Sequence, residues 1–296
     1  MCSRIYVSVP VNISRNVTTG IKRLCPDSDV IIPAKGHRAD DYEMLKEIMA
    51  GNVDEIPDLL IVTRPEIMRE RDYLVKTGYF DTDYRYDTGS FIESGGFVDC
   101  EWVLKPVFVM PLLIFHNKDV ENPPDSWRSL LDERFRGKVL CTGKMTPPAI
   151  LFRNFFSHRY GDQGRAFVAD DVSYKGAPVD VNRAVGGGEY EIGIMPLSFA
   201  KFSRGKNTSF CLPEEGALAL PQVMLLKKGY GEDTKKVADY LISPGMQRSF
   251  SQNAGFVPVI PDVPVPDEVL EGGMVWDGWD WFVEMASAEQ VESFGG

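Results

Sequence analysis

Basic residues are in short supply in this 296-residue chain, where 32 Lys and Arg face 43 Asp and Glu for a formal net charge of −11. No basic run occurs, which argues against nucleic acid as a partner, because its phosphates demand basic patches. The acidic balance reads as a solubility feature. Long apolar runs are also missing: no stretch reaches the ~18 residues that a membrane-crossing helix requires. Histidine occurs only at His37, His116 and His158, too far apart for a helix-borne metal pair. The five cysteines (Cys2, Cys25, Cys100, Cys141 and Cys211) are odd in number, widely spaced and lack a C-x-x-C pair. That pattern fits free thiols rather than a disulfide framework. Nucleotide-loop, zinc-protease and nucleophile-elbow signatures are absent. Gly186-Gly187-Gly188 stands before Glu189 and reads as a turn, and Asp81, Asp83 and Asp87 lack the glycine and distal glutamate of a calcium loop. No cofactor and no resident metal are expected. A Cys–His nucleophilic pair stays open, since such partners meet only in space.

Strand and helix signals alternate along the chain. Residues 5–9 read as a strand, and the polar stretch 12–19 leads into a short helix ending near Cys25-Pro26. Residues 30–32 form a second strand. Asp40 or Asp41 then caps a helix with Met44, Leu45, Ile48 and Met49 on one face, stopped by Gly51. Residues 58–63 are a continuously apolar third strand, as expected when helices cover both faces. A second set follows: a strand at 139–142, a helix opened by Pro147-Pro148 and running through Phe156, a short helix at 181–185 and a strand at 191–195. Such alternation implies parallel βαβ units. The length suits two lobes, since single cores rarely grow past roughly 250–300 residues. The aromatic-dense 275–282 reads as a final helix packed across them.

The segment from Pro123 to Val139, PPDSWRSLLDERFRGKV, reads as a short helix with both ends marked. Asp125 or Ser126 caps its start, Trp127, Leu130, Leu131 and Phe135 recur at helical spacing, and Gly137 ends it. This "P-x-x-W-x-x-L…G-K-V" pattern resembles the opening of the second lobe in type II periplasmic binding proteins, the solute receptors of ABC importers, nearest the ferric, polyamine and phosphonate branch. Four further cues follow family order. Residues 106–119 resemble the hinge-crossing strand, with Phe115-His116-Asn117 where Tyr-Asn is common. Residues 184–194 resemble the helix, Gly-Glu turn and strand. Pro213-Glu214-Glu215-Gly216-Ala217 resembles the return crossing, and residues 238–247 resemble the "L-L-S-P-E-x-Q" element.

The resemblance implies a two-lobe α/β fold with two hinge crossings and a C-terminal helical segment. One lobe takes residues 1–104 and 214–260, the other 105–213, and residues 261–296 pack across both. It implies a receptor without catalytic chemistry that captures a small solute in an interlobe cleft by hinge closure, with an ABC permease as membrane partner and a monomeric state. Ligands in open α/β sheets sit at the carboxyl ends of strands. The candidates there are Ser8, Asn12 and Ser14 after the first strand; Lys35, His37 and Arg38 after the second; and Thr63 and Arg64 after the third. In the second lobe they are Thr142, Lys144 and Thr146 at a helix start, Ser198 after the 191–195 strand, and Glu215 at the return crossing. Ferric members carry an adjacent tyrosine pair where this chain has Met195-Pro196-Leu197-Ser198-Phe199. The polar set therefore leans towards an oxyanion or small carboxylate, with a metal ion or polyamine as the alternative cargo. Family membership implies a periplasmic or extracellular location, yet Met1-Cys2-Ser3-Arg4 runs directly into the first strand with no signal-peptide pattern. A removed leader, a Cys2 lipid anchor and a cytoplasmic protein are the competing readings. A cytoplasmic ligand sensor or store, or an enzyme on the same scaffold, remains the alternative function.

Overall fold

The computed structural model describes residues 2–33, 38–201, 203 and 207–288, with backbone alone for 38–42. Eleven strands occur among them: β1 (Arg4–Val7), β2 (Asp29–Ile31), β3 (Leu59–Val62), β4 (Lys105–Asn117), β5 (Val139–Cys141), β6 (Val172–Tyr174), β7 (Ile192–Pro196), β8 (Thr208–Cys211), β9 (Ala217–Leu226), β10 (Val257–Pro258) and β11 (Met274–Val275). The chain divides into two compact units, Met1–Val109 with Pro221–Pro264, and Met110–Leu220 with Val265–Gly296. It passes from one to the other within β4, returns within β9, and passes again after Pro264.

In the first unit β1 lies between β2 and β3, parallel to both, and β3 pairs antiparallel with β9 from Leu59↔Leu226 to Val62↔Val223. All four residues of β3 are buried, as its unbroken apolar run requires. The helix after β1 begins earlier than the sequence suggests. Val11–Leu24 is helical throughout, because Ile13, Val17, Gly20 and Ile21 form one buried stripe beneath the polar residues. At Gly20 a Cβ would stand 1.9 Å from the Tyr240 hydroxyl, so glycine is what lets that ring close on the helix.

Lys105 opens β4 with 0% exposure, and its ammonium donates to the carbonyls of Asp81 and Trp102. Burial lowers its pKa from 10.5 to about 8, against the pull of Asp81 and Asp99. The unfolded chain therefore holds a proton that the folded chain releases between those values. Stability relative to Lys105→Met is expected to be level below about pH 8 and to rise from there to 10.5. Urea denaturation of both proteins across that range is the measurement, and a constant difference would contradict it.

In the second unit β5 runs parallel to β6 and β7, while β4 pairs antiparallel with β7 and with β8. Trp127 is wholly buried among Phe152, Phe155 and Phe156, at ring distances of 6.1, 6.1 and 6.4 Å. Its indole N–H donates to the Gly216 carbonyl at 2.8 Å. Residues 125–136 are not the single helix expected from spacing. They form two 3₁₀ turns, Arg128–Leu131 and Glu133–Phe135, separated by Asp132 in extended conformation (φ −64°, ψ 136°). The Asp132 carboxylate accepts from the Arg134 N–H, a local bond that competes with continued helix. The helix Pro147–Ala166 runs well past Phe156 and is interrupted at Gly161.

The sequence boundaries at 104/105, 213/214 and 260/261 compare with breaks at 109/110, 220/221 and 264/265. The C-terminal segment groups with the second unit. There β11 pairs with Ala217 and Leu218, and the Asn154 amide donates to the Ala286 carbonyl at 3.2 Å.

Candidate functional site

The carboxyl ends of β1 and β3 bring Ser8, Thr63 and Arg64 to one edge of the first unit. The Ser8 N–H donates to the Ile61 carbonyl at 2.8 Å, which ties the end of β1 to β3. Thr63 is buried, and Arg64 is the half-buried N-cap of the helix Pro65–Arg69. Asn12 is exposed in the first turn of Val11–Leu24, and Ser14 is half-buried there, with its N–H on the Pro10 carbonyl. Arg38 begins the helix Arg38–Ala50, and its side chain lies outside the described residues, as do Lys35 and His37 altogether.

Two residues at this edge escape a reading by strand-end position. Glu66 is 6% exposed, in the first turn of the helix that Arg64 caps. Gln222 is 0% exposed within β9, and its side-chain N–H donates to the Ser8 carbonyl at 3.2 Å. A lone amide inside the apolar run ALALPQVMLL was the available signal for Gln222. Glu66 left none, because an acid in a helix's first turn is ordinarily solvated.

The second unit gathers hydroxyls at the carboxyl ends of adjacent parallel strands. Cys141 of β5 pairs with Ile194 of β7, so Thr142 and Ser198 follow neighbouring strands. Thr142 is buried with its hydroxyl 2.6 Å from that of Thr146. Thr146 is the N-cap of Pro147–Ala166 yet makes no side-chain cap bond, since its hydroxyl is engaged by Thr142. Backbone bonds fix the loop: the Gly143 N–H donates to the Gly176 carbonyl at 2.9 Å and the Thr146 N–H to the Gly143 carbonyl at 2.8 Å. Pro147 and Pro148 carry no N–H, which leaves Ala149 as the first backbone donor of the helix. Lys144 is exposed at the loop's tip. Ser198 is 3% exposed, and its hydroxyl has no hydrogen-bond partner among the described residues.

Glu215 is engaged otherwise. Its carboxylate accepts from the N–H groups of Trp127 at 2.9 Å and Arg128 at 3.4 Å, and from the Tyr160 hydroxyl at 3.4 Å. It thereby anchors the Trp127 segment to the return crossing. Burial, reinforced by Glu215, pushes the Tyr160 phenol up to about 12, so that contact is made by a neutral hydroxyl.

Burial pushes the Cys141 thiol up to about 12 and the Cys211 thiol up to about 11, so neither ionises near neutral pH. Among the described residues no three His, Cys, Asp or Glu side chains gather as a metal site. No helix described is long and apolar enough to cross a membrane. Each edge by itself presents polar side chains: Ser8, Thr63 and the Gln222 amide in the first unit, and the Thr142, Thr146 and Ser198 hydroxyls with Lys144 in the second.

Known proteins align with this arrangement. A periplasmic protein of Salmonella typhimurium, provisionally named as 2-aminoethylphosphonate-binding, is 28% identical over 203 residues. That match spans 60% of this chain and 59% of the relative's length. The ferric binding protein from Campylobacter jejuni superposes with a TM-score of 0.74 at 14% identity, covering 96% of both chains. The periplasmic binding protein AfuA from Actinobacillus pleuropneumoniae, with fructose-6-phosphate bound, gives 0.70 at 15% identity, covering 96% of this chain and 94% of that one. The fold is therefore that of the type II periplasmic binding proteins. The bacterial extracellular solute-binding protein family matches residues 54–284, and the chain belongs to that family.

Proposed function

We propose that the chain is the solute receptor of an ABC importer and that its cargo is a small oxyanion, a phosphonate or short carboxylate. One observation carries the reading: the hydroxyl pair of buried Thr142 and half-buried Thr146, and the buried Ser198 hydroxyl that has no partner among the described residues, follow adjacent parallel strands, beside the start of the helix Pro147–Ala166 and Lys144. Hydroxyl donors and a helix N-terminus are the groups that suit a negative oxygen. The Salmonella relative's name supports the phosphonate choice, and the sugar phosphate bound to AfuA is in keeping with it. Ligand binding then shifts an open–closed equilibrium, a permease receives the loaded form, and the receptor works as a monomer outside the cytoplasmic membrane.

Calorimetric titration with 2-aminoethylphosphonate, inorganic phosphate and acetate tests the cargo class. Saturable binding of at least one of these anions is expected; heats at the buffer level for all three would overturn the reading. Ferric iron serves as the contrasting probe. Because residues 195–199 hold no tyrosine, added ferric iron should give no visible phenolate–iron band. A band lost on tyrosine substitution would restore iron as cargo.

A further inference from the structure

Gln222 is the one polar residue of β9, and it is wholly buried. The Val62↔Val223 pairing sets it level with Thr63, at the end of β3. From there its side chain spans the end of β3 to reach Ser8, which follows β1 on the far side. Its orientation is not arbitrary. The Ser8 carbonyl only accepts, so the amide must turn its NH₂ towards that oxygen, at 3.2 Å, and its own carbonyl oxygen away. A flipped amide would set oxygen against oxygen. The carbonyl oxygen left over is buried and has no hydrogen-bond partner among the described residues. Buried amide oxygens are met by a donor in nearly all native structures. Buried Thr63 stands level with Gln222 in the strand register, and buried Glu66 lies in the first turn of the helix that follows β3. The first unit thus presents an oriented acceptor at the end of β3.

We propose that Gln222 is a specificity-determining residue that reads a hydrogen-bond donor on the solute, its side-chain oxygen accepting from an N–H or O–H of the cargo, for which a primary ammonium is the best fit. This rests on the solute-receptor reading and deepens it: the cargo carries a donor in addition to its oxyanion. An amide suits the task because it is neutral at every working pH and held on its far side by Ser8. Apolar solutes of equal shape are rejected, since entering the site would leave the buried oxygen unmet.

Matched ligands separate this inference from the oxyanion reading. Wild type and Gln222→Met are titrated calorimetrically with 2-aminoethylphosphonate, with ethylphosphonate, which lacks the ammonium, and with 1,4-diaminobutane, which lacks the oxyanion. Wild type is expected to bind 2-aminoethylphosphonate at least about 10-fold more tightly than ethylphosphonate, the scale of one hydrogen bond left unmade. Gln222→Met should erase that preference while changing ethylphosphonate affinity less than about twofold. Equal wild-type affinities, or an equal loss for both phosphonates, overturn the role of Gln222 and leave the oxyanion reading intact. Binding of 1,4-diaminobutane alone, weakened by Gln222→Met, supports Gln222 and overturns the oxyanion. Binding of none of the three overturns both. A thermal melt checks that the variant folds; where it does not, the wild-type preference between the two phosphonates decides.

Discussion

Thr142→Val combined with Ser198→Ala is expected to weaken 2-aminoethylphosphonate binding on the order of 100-fold or more, because each hydrogen bond to a charged group is worth roughly 1.5–3 kcal/mol. Valine keeps the shape of threonine, so the packing around the buried Thr142 survives the exchange. What goes is the hydroxyl that sits 2.6 Å from Thr146, leaving Thr146 to turn its oxygen back to its own helix start as a cap. The Ser198 hydroxyl has no partner to lose among the described residues, and alanine there should leave unliganded stability unchanged or slightly raised. The signature is therefore a binding loss with little change in the melting temperature of the free chain. A double variant that binds as tightly as wild type would show that these hydroxyls only pack.

Trp127→Ala should cost about 3–5 kcal/mol of folding stability, the usual scale for emptying an aromatic core position. The indole fills the space among Phe152, Phe155 and Phe156, and those rings cannot close over a cavity of that size without leaving their own contacts. Truncation also leaves the Gly216 carbonyl without its indole donor. Trp127→Phe retains a ring and isolates that second loss, so it should fall between the wild type and the alanine variant. Urea denaturation of all three gives the ordering. Equal stabilities for phenylalanine and alanine would mean that the N–H bond, not the ring volume, dominates.

The same tryptophan shows how far a sequence can be read. Its burial was visible in the spacing of Trp127, Leu130, Leu131 and Phe135, of which Trp127, Leu130 and Phe135 are core residues and Leu131 is only half-buried. The form of the backbone was not visible, because spacing reports which side faces inward and is similar for a helix and for two successive 3₁₀ turns. Asp132 decides between them through its bond to the Arg134 N–H, and Glu215, far along the chain, holds the segment's first N–H groups. Strand-end hydroxyls such as Thr142 and Ser198 follow from topology, so they could be named in advance. Glu215 was named for its place at the crossing, but the use of its carboxylate depends on Trp127 and Tyr160 arriving there in space. The helix Val11–Leu24 was under-read for a related reason: its polar residues outnumber its buried stripe, and a polar run alone resembles a loop.

Neither unit is continuous in the chain, and this sets a timetable for synthesis on the ribosome. β3 emerges early and pairs on one side with β1, while its other side is completed by β9, through Leu59↔Leu226 to Val62↔Val223. Between those two events the ribosome must deliver the whole Met110–Leu220 segment. For that interval the nascent chain carries an apolar strand with one edge unpaired, the kind of edge that recruits other chains. Slow elongation through residues 110–220 lengthens the exposure, and a holding chaperone shortens its consequences. The second edge of β3 is thus closed only once residues 223–226 have been made.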